Sequence, residues 1–445
     1  MSTGAHRQLL FLMISLGTSF SLGNLWRFPF VVSENGGGSF VFLYIFLGFF
    51  VGLPVLVLEM FLSSEMQKSG QRKLYYRFVP VVLSFFVLTY YSVISGWVLF
   101  FLTDFLLMMM IPDRMPQGLF VLFSQPWLQW ILASVHIIAF VSIWMTQKES
   151  LLWRFRAVVL PLILITLGLL LYRSLQLTSI GDSLRYLFYP DFEEWSRTSI
   201  GHAIGHVFFT MSVGFGVFLT IREMYQSDDH APSIALRMTI MDILFSLVSL
   251  VVIFPIVFLQ RDKAHSNPFL LFDFLPPSFL TYKYGAIFGF LFFFFLYLSA
   301  LNSSLILFRA VIALMKPVVA PKSGGECSLK LQNKMGVFTG VALFIFSSLP
   351  SMGVPFNFFV KANNMRINNF NLIERMDHFL IHWLLPLGVF CMLLMTRKQI
   401  QSSGFLDFVT KNGTVTSGWF YLPLKVVLLY LIPLLILLDM VSRIL

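Results

Sequence analysis

Residues 15–38 read SLGTSFSLGNLWRFPFVVSENGGG, and their reading decides the fold. They lie inside the first long apolar stretch but make a poor continuous membrane helix. Gly17, Gly23 and Pro29 weaken or interrupt helical hydrogen bonding, while Ser19, Ser21 and Asn24 bring polar groups to membrane depth. Non-helical backbone is tolerated there only where it is buried in protein or lines a cavity. An interrupted first helix of this kind points to the binding site of a secondary transporter. From the glycines alone, a kinked helix with a small-residue packing face stands beside that reading.

Composition narrows the class. The chain has 445 residues, 57% hydrophobic and 12% charged, with 52 Phe and 21 Met, as expected of a polytopic helical membrane protein. Cys327 and Cys391 offer no disulfide framework and no metal site. The net charge of +10 is dispersed through short loops between apolar runs, so it reads as a set of topology determinants and not as a nucleic-acid surface. The first apolar run meets Arg27 and Pro29 without a small-residue cleavage site, so it is expected to be retained.

Eleven spans are expected, near 9–30, 39–62, 79–111, 127–145, 155–172, 198–221, 236–259, 284–315, 335–350, 378–396 and 419–442. Lys and Arg are denser in the loops after even-numbered spans, which predicts a cytoplasmic N-terminus and an outer C-terminus. The Pro-rich stretch 260–282 is too broken to span and reads as a re-entrant or capping loop. GFFVG, GHAIG, GAIFG and GVFTG set glycines one turn apart, as close-packing faces do. A second interruption falls in HVFFTMSVGFGVF (206–218), around Gly214 and Gly216. Spans 1 and 6 would then be corresponding members of two five-helix halves. The expected fold is all-α, a single transmembrane domain over 1–445. It has a five-plus-five inverted repeat (about 9–172 and 198–396), broken helices 1 and 6, and an extra helix near 419–442.

GNLWRFPF with ENGGGSF, FFTMSVGFG (208–216), YYSVISGW (90–97) and LFYPDFEEW (187–195) together resemble the sodium:neurotransmitter symporter family. The likeness is to its bacterial amino-acid transporter branch, similar to the bacterial leucine transporter, and covers nearly the whole chain. It implies a central site in which a half-helix end meets a substrate carboxylate, with the Leu22 and Gly23 amides and the Tyr91 hydroxyl as partners. It also places Thr18, Ser19, Val87, Phe209, Thr210, Ser212, Phe215, Ser303 and Leu307 around the substrate. A first sodium would take Ser19, Asn24, Thr210, Asp242 and the carboxylate itself, which couples the two solutes. A second would take Gly17, Phe20, Ser299, Asn302 and Ser303, although Asn302 stands where relatives usually carry Thr or Asp. Interhelical hydrogen bonding by the serines of span 8 is the alternative.

Substrate class follows from one position. Monoamine carriers of the family place Asp where this chain has Ser21, so the expected substrate is a neutral amino acid with an apolar or aromatic side chain. Arg27 and Asp377 match the outer gate pair. The usual inner pair is missing, and Glu223 with Arg309 is the candidate replacement; snorkelling of Arg309 to headgroups is the alternative. Tyr44, His206, Thr210, Asp242 and Ser246 match the cluster that holds chloride in chloride-dependent members. Asp242 replaces an Asn there, so chloride is not expected to be required. His202 and His206 lie at i, i+4, but no third metal ligand is near in sequence.

The chain shows no nucleophile elbow, P-loop or zinc-protease motif, so no enzyme activity, organic cofactor or nucleic-acid partner is expected. The partners are the amino acid and the lipid bilayer, and the location a bacterial inner (plasma) membrane. The leading function is sodium-coupled symport by alternating access. A proton-coupled carrier of the same fold, a non-transporting amino-acid sensor and an integral-membrane enzyme are the alternatives.

Overall fold

The computed structural model describes residues 21–68, 75–111, 114–115, 117–146, 149–194, 197–218, 230–258, 272, 275–280, 284–319, 328–352, 369–410 and 420–443. All regular structure among them is helical. Lipid imposes this, because a helix satisfies every backbone N–H and C=O within its own segment. A wide turn at Gly23–Arg27 leads into α1 (Phe28–Glu34). Then come α2 (Gly38–Glu65), α3 (Arg77–Met110), α4 (Pro126–Met145), α5 (Glu149–Ser174) and α6 (Arg197–Thr210). α7 (Ala231–Phe258), α8 (Gly285–Val319), α9 (Leu329–Met352), α10 (Arg375–Met395) and α11 (Tyr421–Ser442) complete the set.

Eight of these are long and apolar enough to cross a membrane unaided, against the eleven spans expected. The difference has local causes. Span 1 is described only from Ser21, α5 contributes a shorter apolar run at Val158–Ser174, and α6 stops at Thr210 where the chain breaks. Large apolar side chains such as Phe42, Phe46 and Phe50 stay half exposed along α2. Such a ridge faces lipid, since water would penalise it.

Four wide turns among the described residues share a cause. Gly23–Arg27, Gly48–Gly52, Leu380–Leu384 and Val427–Leu431 each close with an i→i+5 hydrogen bond, for example Phe28 N–H to Gly23 O. Each ends two residues before a proline: Pro29, Pro54, Pro386 and Pro433. A proline ring clashes with the carbonyl four residues back and offers no N–H to it, and a widened turn relieves both faults. Proline alone is not sufficient, because Pro80, Pro161, Pro255 and Pro317 sit inside helices without one.

α3 and α8 pack along much of their length, with α4 and α9 beside them, while α6 lies against α2, α10 and α11. The four glycine pairs are contact faces as expected: Gly48 meets Ile243, Gly52 meets Met211, Gly289 meets Phe105 and Gly336 meets Trp144. Gly201 and Gly205 meet Asp439 and Ile381. In the stretch 260–282, Leu275–Leu280 forms a short buried helix, and Phe272 packs against Trp26, Phe101 and Phe293.

Candidate functional site

The chain leaves helical geometry after Thr210. Ser212, Gly214 and Gly216 all take positive φ, at 54°, 87° and 68°. Glycine adopts such angles freely, but Ser212 does so under strain, which persists only where its surroundings enforce it. Two polar side chains satisfy the freed backbone. Glu59 Oε1 accepts the Gly214 N–H at 2.6 Å, and Ser84 Oγ donates to Phe215 O at 2.7 Å. Neither residue was singled out from the sequence. Glu59 carries a legible sign all the same: it is an acid in the middle of an apolar span, fully buried.

Facing this break, Leu22 N–H donates to Tyr91 Oη at 3.1 Å. A cavity of about 30 Å³ lies beside them, lined by Ser21, Val87, Tyr91, Phe209, Ser212, Phe215, Ser303, Ile306 and Leu307. Seven of these nine were named from the sequence as substrate residues; Ile306 was not, and Ser21 entered only as the uncharged replacement. Gly23 belongs to the same wall. A Cβ there would come within 2.5 Å of the Phe209 ring, so only glycine lets this ring approach. The free volume holds a water or two, so a larger solute requires Phe209 or its neighbours to turn.

Below the break, Asp242 is 2% exposed and accepts three neutral donors. Asn24 Nδ2 reaches Oδ1 at 3.0 Å, while Tyr44 Oη and Thr210 Oγ1 reach Oδ2 at 2.7 and 3.1 Å. Ser246 Oγ lies 3.1 Å from the Tyr44 hydroxyl. Thus Asn24, Thr210 and Asp242 of the first expected sodium set meet in one cluster, and so do four of the five residues of the expected chloride cluster. His206 is the exception. Its ring flanks Tyr44 at 5.5 Å, but its Nδ1 faces Arg27 Nη1 at 3.2 Å.

Ser299, Asn302 and Ser303 share one face of α8, and Ser299 Oγ is buried with no hydrogen-bond partner among the described residues. Gly17, Thr18, Ser19 and Phe20 lie outside the described residues, as does Glu223. Arg309 is half-buried on α8. Among the described residues no group of three His, Cys, Asp or Glu side chains is placed to hold a metal ion.

Arg27 and Asp377 form an ion pair, with Nε 3.0 and 3.2 Å from the two carboxylate oxygens. Tyr90 Oη donates to the same carboxylate at 2.8 Å. A second cavity, of about 130 Å³, opens beside this pair and is lined by Trp26, Asn35, His202, His378 and His382 among others.

The family model for the sodium:neurotransmitter symporter family matches residues 4–112 and 124–320. An uncharacterized sodium-dependent transporter of Bacillus subtilis, YhdH, is 25% identical over 446 residues, 95% of each chain. The bovine sodium-dependent neutral amino acid transporter B(0)AT2 is 24% identical over 295 residues, 57% of this chain and 40% of its own length. Among solved structures, MhsT in complex with L-phenylalanine superposes with a TM-score of 0.79, at 24% identity and 97% coverage of both chains, which shows the fold. An interrupted helix facing a small cavity, in a bundle of apolar helices that this family's model covers, leaves one assignment: the chain belongs to the sodium:neurotransmitter symporter family and is a sodium-dependent, multi-pass membrane transporter, not an enzyme.

Proposed function

We propose that this transporter moves a neutral amino acid with an apolar or aromatic side chain together with sodium, by alternating access, and without a requirement for chloride. One observation carries the reading. The Tyr91 hydroxyl, which accepts the Leu22 N–H, stands in the wall of a cavity whose other lining side chains carry no formal charge. An α-carboxylate finds donors there, whereas a charged side chain would be left unpaired at a cost of several kcal/mol. The neutral amino acids named for B(0)AT2 and the L-phenylalanine of MhsT fall in the same class.

Asp242 supports the ionic half of the proposal. Its carboxylate has its hydrogen bonds satisfied by Asn24, Tyr44 and Thr210, yet no basic side chain pairs with it in that cluster. Sodium bound by Asn24, Thr210 and Asp242 supplies the missing charge, and the fixed carboxylate stands where a chloride would otherwise be needed. Around this, Ser299, Asn302 and Ser303 serve a second sodium, and Arg27 with Asp377 serves as the outer gate. The N-terminus is cytoplasmic and the membrane a bacterial plasma membrane.

Uptake into proteoliposomes tests the reading. Labelled phenylalanine, leucine and alanine should accumulate under an inward sodium gradient equally well in chloride and in gluconate. Accumulation driven by a proton gradient alone favours the proton-coupled alternative, and binding without uptake favours the sensor.

A further inference from the structure

His202 and His206 stand one helical turn apart on α6, and each faces a donor from the Gly23–Asn35 segment. Arg27 Nη1 lies 3.2 Å from His206 Nδ1, and Asn35 Nδ2 lies 3.2 Å from His202 Nδ1. A guanidinium only donates, and so does an amide NH2. The Asn35 nitrogen also donates to Val31 O at 2.9 Å, which fits its assignment as the NH2 side. Both imidazoles therefore accept at Nδ1. An imidazole that accepts is neutral and keeps its proton on Nε2. The His206 ring is sealed, stacked on Phe28 at 4.9 Å, and its Nε2 has no hydrogen-bond partner among the described residues.

We propose that these two contacts form a proton-labile zipper between the segment carrying Arg27 and α6, so that external acid parts them and opens the outer gate. A proton that adds to Nδ1, at His202 from the cavity it lines and at His206 as its contact with Arg27 parts, turns each acceptor into a donor facing another donor. At His206 it also sets an imidazolium against a guanidinium. Arg27 then loses its tie to α6, and the pair with Asp377 is left alone to hold the gate closed.

Of the charged groups around the two rings, Asp377 and Asp439 do not cancel the added charge. The first segment contributes Arg27 and Glu34, α2 contributes Tyr44, and α3 contributes Tyr90. α10 contributes Asp377, His378 and His382, with the His382 ring 4.4 Å from His202 and 4.6 Å from His378. α11 contributes Asp439 and Arg443 behind Gly201. Asp377 and Asp439 are already paired, with Arg27 and Arg443 respectively. Asp242 is reached only through Tyr44.

The gating consequence rests on the outer-gate role given above to Arg27 and Asp377; the protonation states do not. The test places a cysteine at Val31, which lines the cavity, in a chain whose Cys327 and Cys391 are replaced by Ser. Its labelling rate with a membrane-impermeant methanethiosulfonate is compared with that of the same chain carrying His202→Gln and His206→Gln. Glutamine keeps an acceptor that does not titrate, and the ratio cancels the pH dependence of the thiol. The expected ratio is near one at pH 8 and at least about tenfold at pH 5.5, the change that loss of one charge-assisted hydrogen bond produces. A ratio that is the same at both pH values overturns the proposal. Should the double variant not fold, nitrogen-15 NMR of the histidine-labelled wild-type chain decides: Nδ1 of both rings is unprotonated at pH 8, and a protonated Nδ1 on either overturns it. If Asp377→Asn also fails to change the labelling rate, the gate reading itself has failed.

Discussion

Asp242 and Asp377 are both carboxylates inside the bundle, and the protein holds them in opposite ways. Asp242 receives three hydrogen bonds from neutral groups. Asp377 receives Arg27 and a tyrosine, with its side chain 16% exposed. The first site is complete in hydrogen bonds but incomplete in charge, which under the proposed function is the place for a cation. The second is complete in both, and under the same proposal it is the pair whose partners water replaces as the gate opens. On that reading the deep charge serves the ion and the shallow pair serves the motion.

Removing the deep charge should have the largest effect. Asp242→Asn deprives a bound sodium of its counter-charge, and breaking a buried ionic contact costs about 3–5 kcal/mol. Sodium half-saturation should then rise at least about a hundredfold in gluconate, with partial recovery in chloride. An unchanged half-saturation would show that this carboxylate does not serve sodium, and the comparison would collapse.

Tyr91→Phe comes next. It removes one hydrogen bond to a charged group, so substrate affinity should drop by about 10- to 150-fold while sodium binding in the absence of substrate is kept. Scintillation-proximity binding measures both, and equal affinity in the variant would take Tyr91 out of the site.

The shallow pair should respond less. Asp377→Asn leaves Tyr90 in place and weakens closure, so dissociation of bound substrate should quicken by about tenfold with little change in sodium half-saturation. A large sodium effect here would erase the distinction between the two carboxylates.

Glu59→Gln is the mildest change. The amide oxygen still accepts from Gly214, so affinity should fall by no more than about fivefold, through a looser break. Wild-type affinity in that variant would mean that the break holds itself.

The bundle was legible because lipid leaves helices as the only choice for long apolar runs, and glycines one turn apart marked the contacts between them. Asn24, Tyr91 and Thr210 were legible because they sit in motifs that resemble the family, and Asp377 because it matches the family's partner for Arg27. Glu59, Ser84 and Ile306 were missed for a different reason. Each acts across the bundle on a partner far away in sequence, and a lone polar or aliphatic residue in an apolar run does not announce which partner. His206 fell between: it was placed with the chloride cluster by its motif, yet the structure turns its Nδ1 to Arg27. Only the shared donor chemistry of Arg27 and Asn35 shows what the pair of histidines accepts.

The wide turns ahead of Pro29, Pro54, Pro386 and Pro433 carry one residue more than an ordinary helical turn, while the helix on either side keeps its register. Each is therefore an insertion already absorbed by the structure. Deleting one residue within Val427–Leu431 together with Pro433→Ala should restore a regular turn and leave the faces of α11 where they are. The same deletion in the evenly wound middle of α8 would rotate every later side chain by about 100° and turn a buried face toward lipid. In this bundle these four prolines mark where the chain tolerates a change of length.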